Sequence, residues 1–191
     1  MAATGNAEVT KERILSAATA EFSACGIAGA RVDRIAAAAD CNKNLIYVYF
    51  HNKENLFNAV LGENLSRVYA EVFFTAEDLP GYAQRLFDYV MDNPALMRLE
   101  MWATLEGKEG AEPGRRKSAG VKIETLAEQQ RDGRLGTDFP PAFLLVAVMT
   151  LATAWSAAAP YGPSLDPSDG YMPQELRNLI ADAVRRIAPT T

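Results

Sequence analysis

Apolar side chains recur along this chain three and four residues apart, and no convincing run alternates apolar and polar with the period of two that a half-buried strand requires. The pattern predicts helices nearly everywhere. The first is expected over residues 10–25, with Thr10 as its cap, Ile14, Ala18 and Phe22 on one face, and Gly26 as its stop. A short second helix, RVDRIAAAAD, places Val32, Ile35 and Ala36 inward and ends at Asp40, a residue type that tolerates a left-handed turn. Asn42 then caps a third helix, Lys43 to Phe50, and Asn52 a fourth, whose stripe is Phe57, Leu61, Leu65, Val68 and Val72.

Downstream, helices are expected over residues 82–91, after Pro80 and Gly81, and over PALMRLEMWATLEG, which Pro94 opens and Gly107 closes. GKEGAEPG reads as a loop. RRKSAGVKIETLAEQQRD, closed by Gly133, an uncharged helix after Pro140 and Pro141, and QELRNLIADAVRRIA complete the series, with the proline-rich loop PYGPSLDPSDGYMP before the last. The expected fold is therefore all-α with about nine helices, and the first three stand apart as short elements joined by tight turns.

Composition narrows the picture. With 49% hydrophobic residues in 191, the chain can bury a core and is not disordered. Its two cysteines, Cys25 and Cys41, make no disulfide framework, and MAATGNAEVTKER lacks the apolar run of a secretory signal, so a cytoplasmic setting is expected. Residues 139–165 carry no charge and are long enough to span a bilayer. They are rich in Ala, Thr and Ser and lack close Lys or Arg flanks, so the expectation is a helix buried on most sides, not a membrane span. The net charge of -5 argues against a protein that coats phosphates over a whole face, so any DNA binding must be local and geometric.

One stretch departs from that acidic balance. In DCNKNLIYVYFHNK, residues 40–53, no acid follows Asp40, and the run carries two lysines, three asparagines, two tyrosines and the only histidine. Two short helices joined by a tight turn at Asp40-Cys41 have the geometry of a helix-turn-helix, whose second helix can enter the DNA major groove. Asn42, Lys43 and Asn44 stand at that helix's start, where base edges are met; lysine donates to guanine and asparagine pairs with adenine. Tyr47, Tyr49, His51 and Lys53 carry donors for phosphates on either side. The same pattern, polar outside and Leu45, Ile46 and Phe50 inside, also describes an ordinary surface helix.

The residues ILSAATAEFSACG, VDRIAAAAD and NKNLIYVYFHNKENLF, within residues 10–61, resemble the N-terminal DNA-binding region of the TetR family of bacterial transcriptional repressors. The family pattern there is a small polar cap, Lys, a small residue, an apolar pair, then Tyr-x-Tyr-Phe-x-x-Lys, and Asn42, Lys43, Tyr47, Tyr49, Phe50 and Lys53 match it. The resemblance implies a helix-turn-helix domain at residues 8–55 and a ligand-binding and dimerisation domain at residues 56–191. It implies base or nearby phosphate contacts for Lys43 and Asn44, and phosphate contacts for Tyr47 and Lys53. Ala30 stands where the family usually has a capping Thr, so Arg31 is the expected substitute for its phosphate contact. Asn44 and Asp40 replace usual glycines, and Asp33 would repel phosphate unless it finds a base amine or an arginine.

The resemblance further implies a homodimer on a palindromic DNA operator, released by a small-molecule effector. The expected dimer surface takes Leu176, Ile180, Ala183 and Ile187 from the last helix, in a spacing suited to a helix partner, and the small ridge Thr150, Thr153, Ala154 and Ala157 from the one before. The other reading is that both helices only cover their own core. The large residues Tyr69, Phe73, Phe87, Tyr89, Met97, Met101, Trp102, Met149 and Trp155 are the expected pocket lining, each also a natural core residue. Glu100 is the polar exception among them: facing inward it would select a cationic or hydroxylated ligand, and facing outward it would pair with a neighbouring Arg.

No catalytic constellation competes. There is no Ser-His-Asp candidate, CxxC, HExxH or phosphate-cradling glycine loop, and the lone His51 sits in the DNA-contact stretch, so no enzyme, cofactor or metal is expected. A redox-responsive regulator using Cys25 and Cys41, and a helical scaffold or membrane-associated protein without DNA binding, are the alternatives.

Overall fold

The structure is a computed structural model that describes residues 2–107, 113–165 and 172–190. In chain order the elements are α1 (Ala2–Gly29), α2 (Val32–Ala38), α3 (Lys43–Phe50), α4 (Lys53–Glu71), a 3-10 turn (Ala76–Asp78), α5 (Leu79–Asp92), α6 (Pro94–Leu105), α7 (Pro113–Arg131), α8 (Pro141–Thr153), the single turn α9 (Gly162–Leu165) and α10 (Pro173–Ile187). The only bridge among the described residues is an isolated one, Leu135 to Thr190, so the all-α expectation holds.

Several local expectations hold for the reasons given. Asn42 Oδ1 accepts from the Asn44 amide at 2.8 Å and Asn52 Oδ1 from the Asn55 amide at 2.7 Å, capping α3 and α4. Asp40 takes the left-handed turn with φ 47°. The expected stop at Gly26 is present as a break with φ 66° and ψ -178°, after which a further turn runs to Gly29. Others do not hold. Thr10 lies inside α1, because the chain upstream of it is already helical from Ala2. Pro80 and Gly81 fall within the first turn of α5, where Asp78 caps the Gly81 amide at 2.8 Å. Most of the expected GKEGAEPG loop, and residues 166–171 of the proline-rich one, lie outside the described residues.

The chain divides into two units. The first comprises Met1–Arg67 and Ala95–Glu112, and the second Val68–Pro94 and Pro113–Thr191. The expected boundary at residues 55 and 56 falls inside α4, which runs unbroken from Lys53 to Glu71.

In the first unit, Ile14, Ala18 and Phe22 of α1, Ile35 of α2, Ile46 and Phe50 of α3, and Phe57 and Leu61 of α4 form one core, with Leu99 and Ala103 of α6 added to it. Phe22 and Phe57 meet edge to face at 5.2 Å. α6 lies against the break in α1, where Arg98 Nε donates to the Ser23 carbonyl at 3.1 Å.

Polar contacts fix the short helices. Glu21 Oε1 accepts from the Arg31 amide and Arg34 Nε, both at 2.8 Å, joining α1 to the start of α2. The Arg34 hydrogen bond first, and then the Arg31 amide, hold the Glu21 carboxyl below its ordinary range despite some desolvation. Its contribution to stability is therefore present above the ordinary carboxylate range and is lost as pH falls through the folded value. Glu21→Gln should cost about 1–2 kcal/mol in urea unfolding at pH 7, given the partial exposure of Arg34. The gap between variant and parent should close in acid; a gap that persists at pH 2 would refute this account.

In the second unit, α5 packs against α8 and α10, and α7 against α8. Tyr82, Leu86 and Phe87 of α5, Leu126 of α7, Leu144 and Val148 of α8, and Leu176, Ile180 and Val184 of α10 are buried. Arg177 Nε donates to Asp88 Oδ2 at 2.8 Å, tying α10 to α5. α8 has 13 residues, and among the described residues no helix is long and apolar enough to cross a membrane. Gly162 passes tightly under its end: a Cβ there would lie 2.2 Å from the Ala154 carbonyl oxygen. α8 also differs from the expectation of burial on most sides, since Phe143 is 54% and Val146 64% exposed.

Candidate nucleic-acid interface

α3 is held so that one edge faces solvent. Ile46 and Phe50 are buried against the first unit's core, with Leu45 half-buried. Helical spacing then turns Lys43, Asn44, Tyr47 and Val48 outward, and all four are exposed. The turn before α3 is clamped from α1: the Arg13 guanidinium donates to the Ala39 and Asp40 carbonyl oxygens and lies 3.5 Å from the Asp40 carboxylate. The recognition edge is thus positioned by a buried face, an Asn cap and a tethered turn.

The expected DNA-contact residues do not all lie on that edge. Asn42, Lys43, Asn44, Tyr47 and His51 are exposed there or at its ends, with His51 at φ 66°. Arg31 is exposed at the start of α2. Tyr49 points the other way: it is half-buried, its ring lies 6.2 Å from that of Phe50, and its hydroxyl donates to the Ala7 carbonyl at 3.5 Å. Lys53 is half-buried and spends its ammonium on the carbonyls of Ala28 at 3.4 Å and Ala30 at 3.2 Å, the end of α1.

Two features of the edge were not anticipated. Val48 is 68% exposed, an apolar side chain one turn beyond Asn44; its position four residues on was the available signal. Asp33, expected to need a base amine or an arginine, instead holds Lys43 at 2.8 Å. That hydrogen bond, more than simple attraction, lowers the Asp33 carboxyl below and raises the Lys43 ammonium above their ordinary ranges.

Cys25 and Cys41 are free thiols, and burial pushes the Cys41 thiol up, away from the reactive thiolate.

The expected pocket residues fall in both units. Met97, Glu100, Met101 and Trp102 belong to the first unit, and the rest to the second. Glu100 is half-buried, Phe73 and Met101 are exposed, Phe87 is buried, and Trp102 lies against Gly26. A groove of about 420 Å³ in the second unit is lined by Tyr69, Phe74, Gly114, Lys117, Ser118, Val121 and Lys122, so only Tyr69 of the expected set borders it.

The expected dimer residues divide as well. Leu176 and Ile180 are buried beneath α10, which packs on α5, so that stripe covers the chain's own core. Ala183 and Ile187 are half-buried at its edge, Thr153 and Ala154 are half-buried, and Thr150 and Ala157 are exposed. The outward apolar surface is instead Phe143, Val146 and Met149 of α8, with Leu179 of α10.

Comparison with known proteins agrees with this arrangement. Residues 14–60 match the family described as bacterial regulatory proteins, tetR family, and residues 78–186 the tetracyclin repressor-like C-terminal domain. The chain is 36% identical over 184 residues to the HTH-type transcriptional repressor SCO4008 of Streptomyces coelicolor, covering 94% of this chain and 95% of that one. Over 55 residues it is 44% identical to the HTH-type transcriptional repressor NicS of Pseudomonas putida, covering 29% of this chain and 26% of the other. Its fold superposes on the crystal structure of SCO4942 from Streptomyces coelicolor with TM-score 0.85 at 33% identity, over 95% of this chain and 99% of that one. With its capped recognition helix and both matched regions, the chain belongs to the TetR family of DNA-binding transcriptional regulators.

Proposed function

We propose that the protein is a repressor that grips a palindromic operator as a homodimer and lets go when a small-molecule effector binds. The observation that carries this reading is the solvent-facing edge of α3, where Lys43, Asn44, Tyr47 and Val48 stand together on a clamped helix. Asn44 offers a bidentate pair to adenine, Val48 an apolar contact to a thymine methyl, and Tyr47 a phosphate hydrogen bond. One such edge neutralises few phosphates, so an acidic chain needs two of them. A twofold axis would set them about 34 Å apart, one turn of DNA. The uncharged face of α8, with Phe143, Val146 and Met149 outward, supports the pairing of two copies. The effector would act by favouring a dimer whose α3 helices no longer match that spacing.

A gel shift on the gene's own upstream DNA, repeated across salt concentrations, tests the operator reading. Dimeric binding with about six phosphate contacts should weaken roughly a thousandfold between 50 and 200 mM salt. Absence of any shift on that DNA or on other genomic fragments would sink it.

Asp33 sets the charge available at the edge. Asp33→Asn removes the carboxylate that holds Lys43 and frees the ammonium for phosphate. Non-specific DNA affinity should rise several-fold, and the salt slope of the dimer should steepen by about two, one phosphate for each subunit's Lys43. An unchanged slope would mean that Lys43 does not reach the backbone.

A further inference from the structure

The groove in the second unit has an unusual wall. Lys122 is half-buried there, and its Nζ sits 5.7 Å from the centre of the Tyr69 ring, 5.4 Å from Phe74 and 5.0 Å from Tyr82. The same ammonium donates to the Tyr82 hydroxyl at 3.0 Å. Ring faces attract a cation, but they bring no full charge to balance one withdrawn from water. Tyr82 cannot supply that charge, because burial pushes its phenol up to about 12 and keeps it neutral. Among the described residues no carboxylate pairs with Lys122 or with Lys117, the second lysine of the groove. The uncompensated burial has its own signature: desolvation lowers the Lys122 ammonium from its ordinary range.

The remaining wall is apolar, formed by Tyr69, Phe74 and Val121, and its volume of about 420 Å³ lies within the usual range for a small organic ligand. We propose that this groove receives an organic anion, its carboxylate paired with Lys122 and Lys117 and its aromatic or acyl body laid against Tyr69, Phe74 and Val121. The inference deepens the effector reading above and rests on it for its regulatory consequence. Two lysines with no acid between them disfavour a cationic guest. This runs opposite to the ligand class that an inward Glu100 would select.

A series of naphthalene probes tests it on the full chain by calorimetric titration: 1-naphthoate, its neutral isostere 1-naphthamide, and 1-naphthylmethylammonium. The acid should bind at least tenfold more tightly than the amide, and the ammonium should not bind. Lys122→Met keeps the side chain's length and removes its charge, so the advantage of acid over amide should shrink by tenfold or more. Circular dichroism should show that variant folded, and a thermal midpoint equal to or above the parent's would follow from removing a half-buried cation. Val121→Trp, which fills the groove from an exposed position, should abolish acid binding. The proposal is overturned if the acid does not bind, if amide or ammonium binds as well as acid, or if Lys122→Met retains the full preference. A gel shift in the presence of 1-naphthoate separates the two levels. Acid bound with the operator still held leaves the anion site standing and removes its role as effector site. Acid unbound removes the site and leaves the effector reading to other ligands.

Discussion

Gly26→Ala should destabilise the first unit by about 3 kcal/mol or more. The position combines two independent demands. Its φ of 66° with ψ of -178° lies in a region that essentially only glycine occupies, at about 1–3 kcal/mol for any other residue. A Cβ there would also lie 2.7 Å from the ring of Trp102 on α6, closer than any carbon pair tolerates, so the indole must move out of packed contact. The break is structural because the chain must leave α1 and turn toward α2 beneath that ring. The two demands can be told apart. Gly26→Asn should fare no better than Gly26→Ala, because the side chain that eases a left-handed turn does not ease this extended ψ. Adding Trp102→Leu to Gly26→Ala should recover the steric part alone. Unfolding of each variant can be followed by circular dichroism, because Trp102, the only tryptophan of the first unit, is itself replaced in one of them. A loss below about 0.5 kcal/mol, the scatter of ordinary surface changes, would refute the claim.

Gly26 also shows what the sequence can and cannot say. A glycine after an amphipathic run marks a stop, and the break is there; that α6 would press a tryptophan onto it is a tertiary fact without a local trace. The same division recurs. Asn42, Asn52 and Asp40 were readable because cap and turn chemistry is decided within three residues. Thr10 misled because a cap signal means little when the residues before it are also helical. Tyr49 and Lys53 match the family's pattern, yet their polar atoms go to the carbonyls of Ala7, Ala28 and Ala30, contacts that depend on where α1 begins and ends. The stripe Leu176 to Ile187 announced a face that must be covered; periodicity cannot name the cover, and α5 of the same chain provides it for Leu176 and Ile180. Lys122 was the least legible of all. On a polar helix it reads as solvated, and only folding gathers Tyr69, Phe74 and Tyr82 around it.

The exposed face of α8 leads to the second large effect: Val146→Asp should convert the protein to a monomer and weaken operator binding at least a hundredfold. Val146 is 64% exposed in the isolated chain and stands between Phe143 and Met149, so a charge there disturbs no core contact of the protomer. In the proposed dimer each copy would bury that carboxylate at the seam. Two like charges withdrawn from water without partners are among the costliest changes an interface can suffer. The DNA effect follows from linkage of the two recognition helices. Once one α3 is seated, the second meets its half-site at an effective concentration set by the dimer, an advantage of about 10²–10⁴ that a monomer forfeits without losing any contact of its own. Sedimentation should therefore show a 20.8 kDa species in place of twice that mass. Circular dichroism should be unchanged, and a single half-site should be bound as weakly by the parent as by the variant. Val146→Ala, which trims the same position without charge, should keep both the dimer and most of the affinity. A Val146→Asp protein that remains dimeric would place the interface elsewhere, and a monomeric one that holds the palindrome as tightly as the parent would show that one recognition helix suffices.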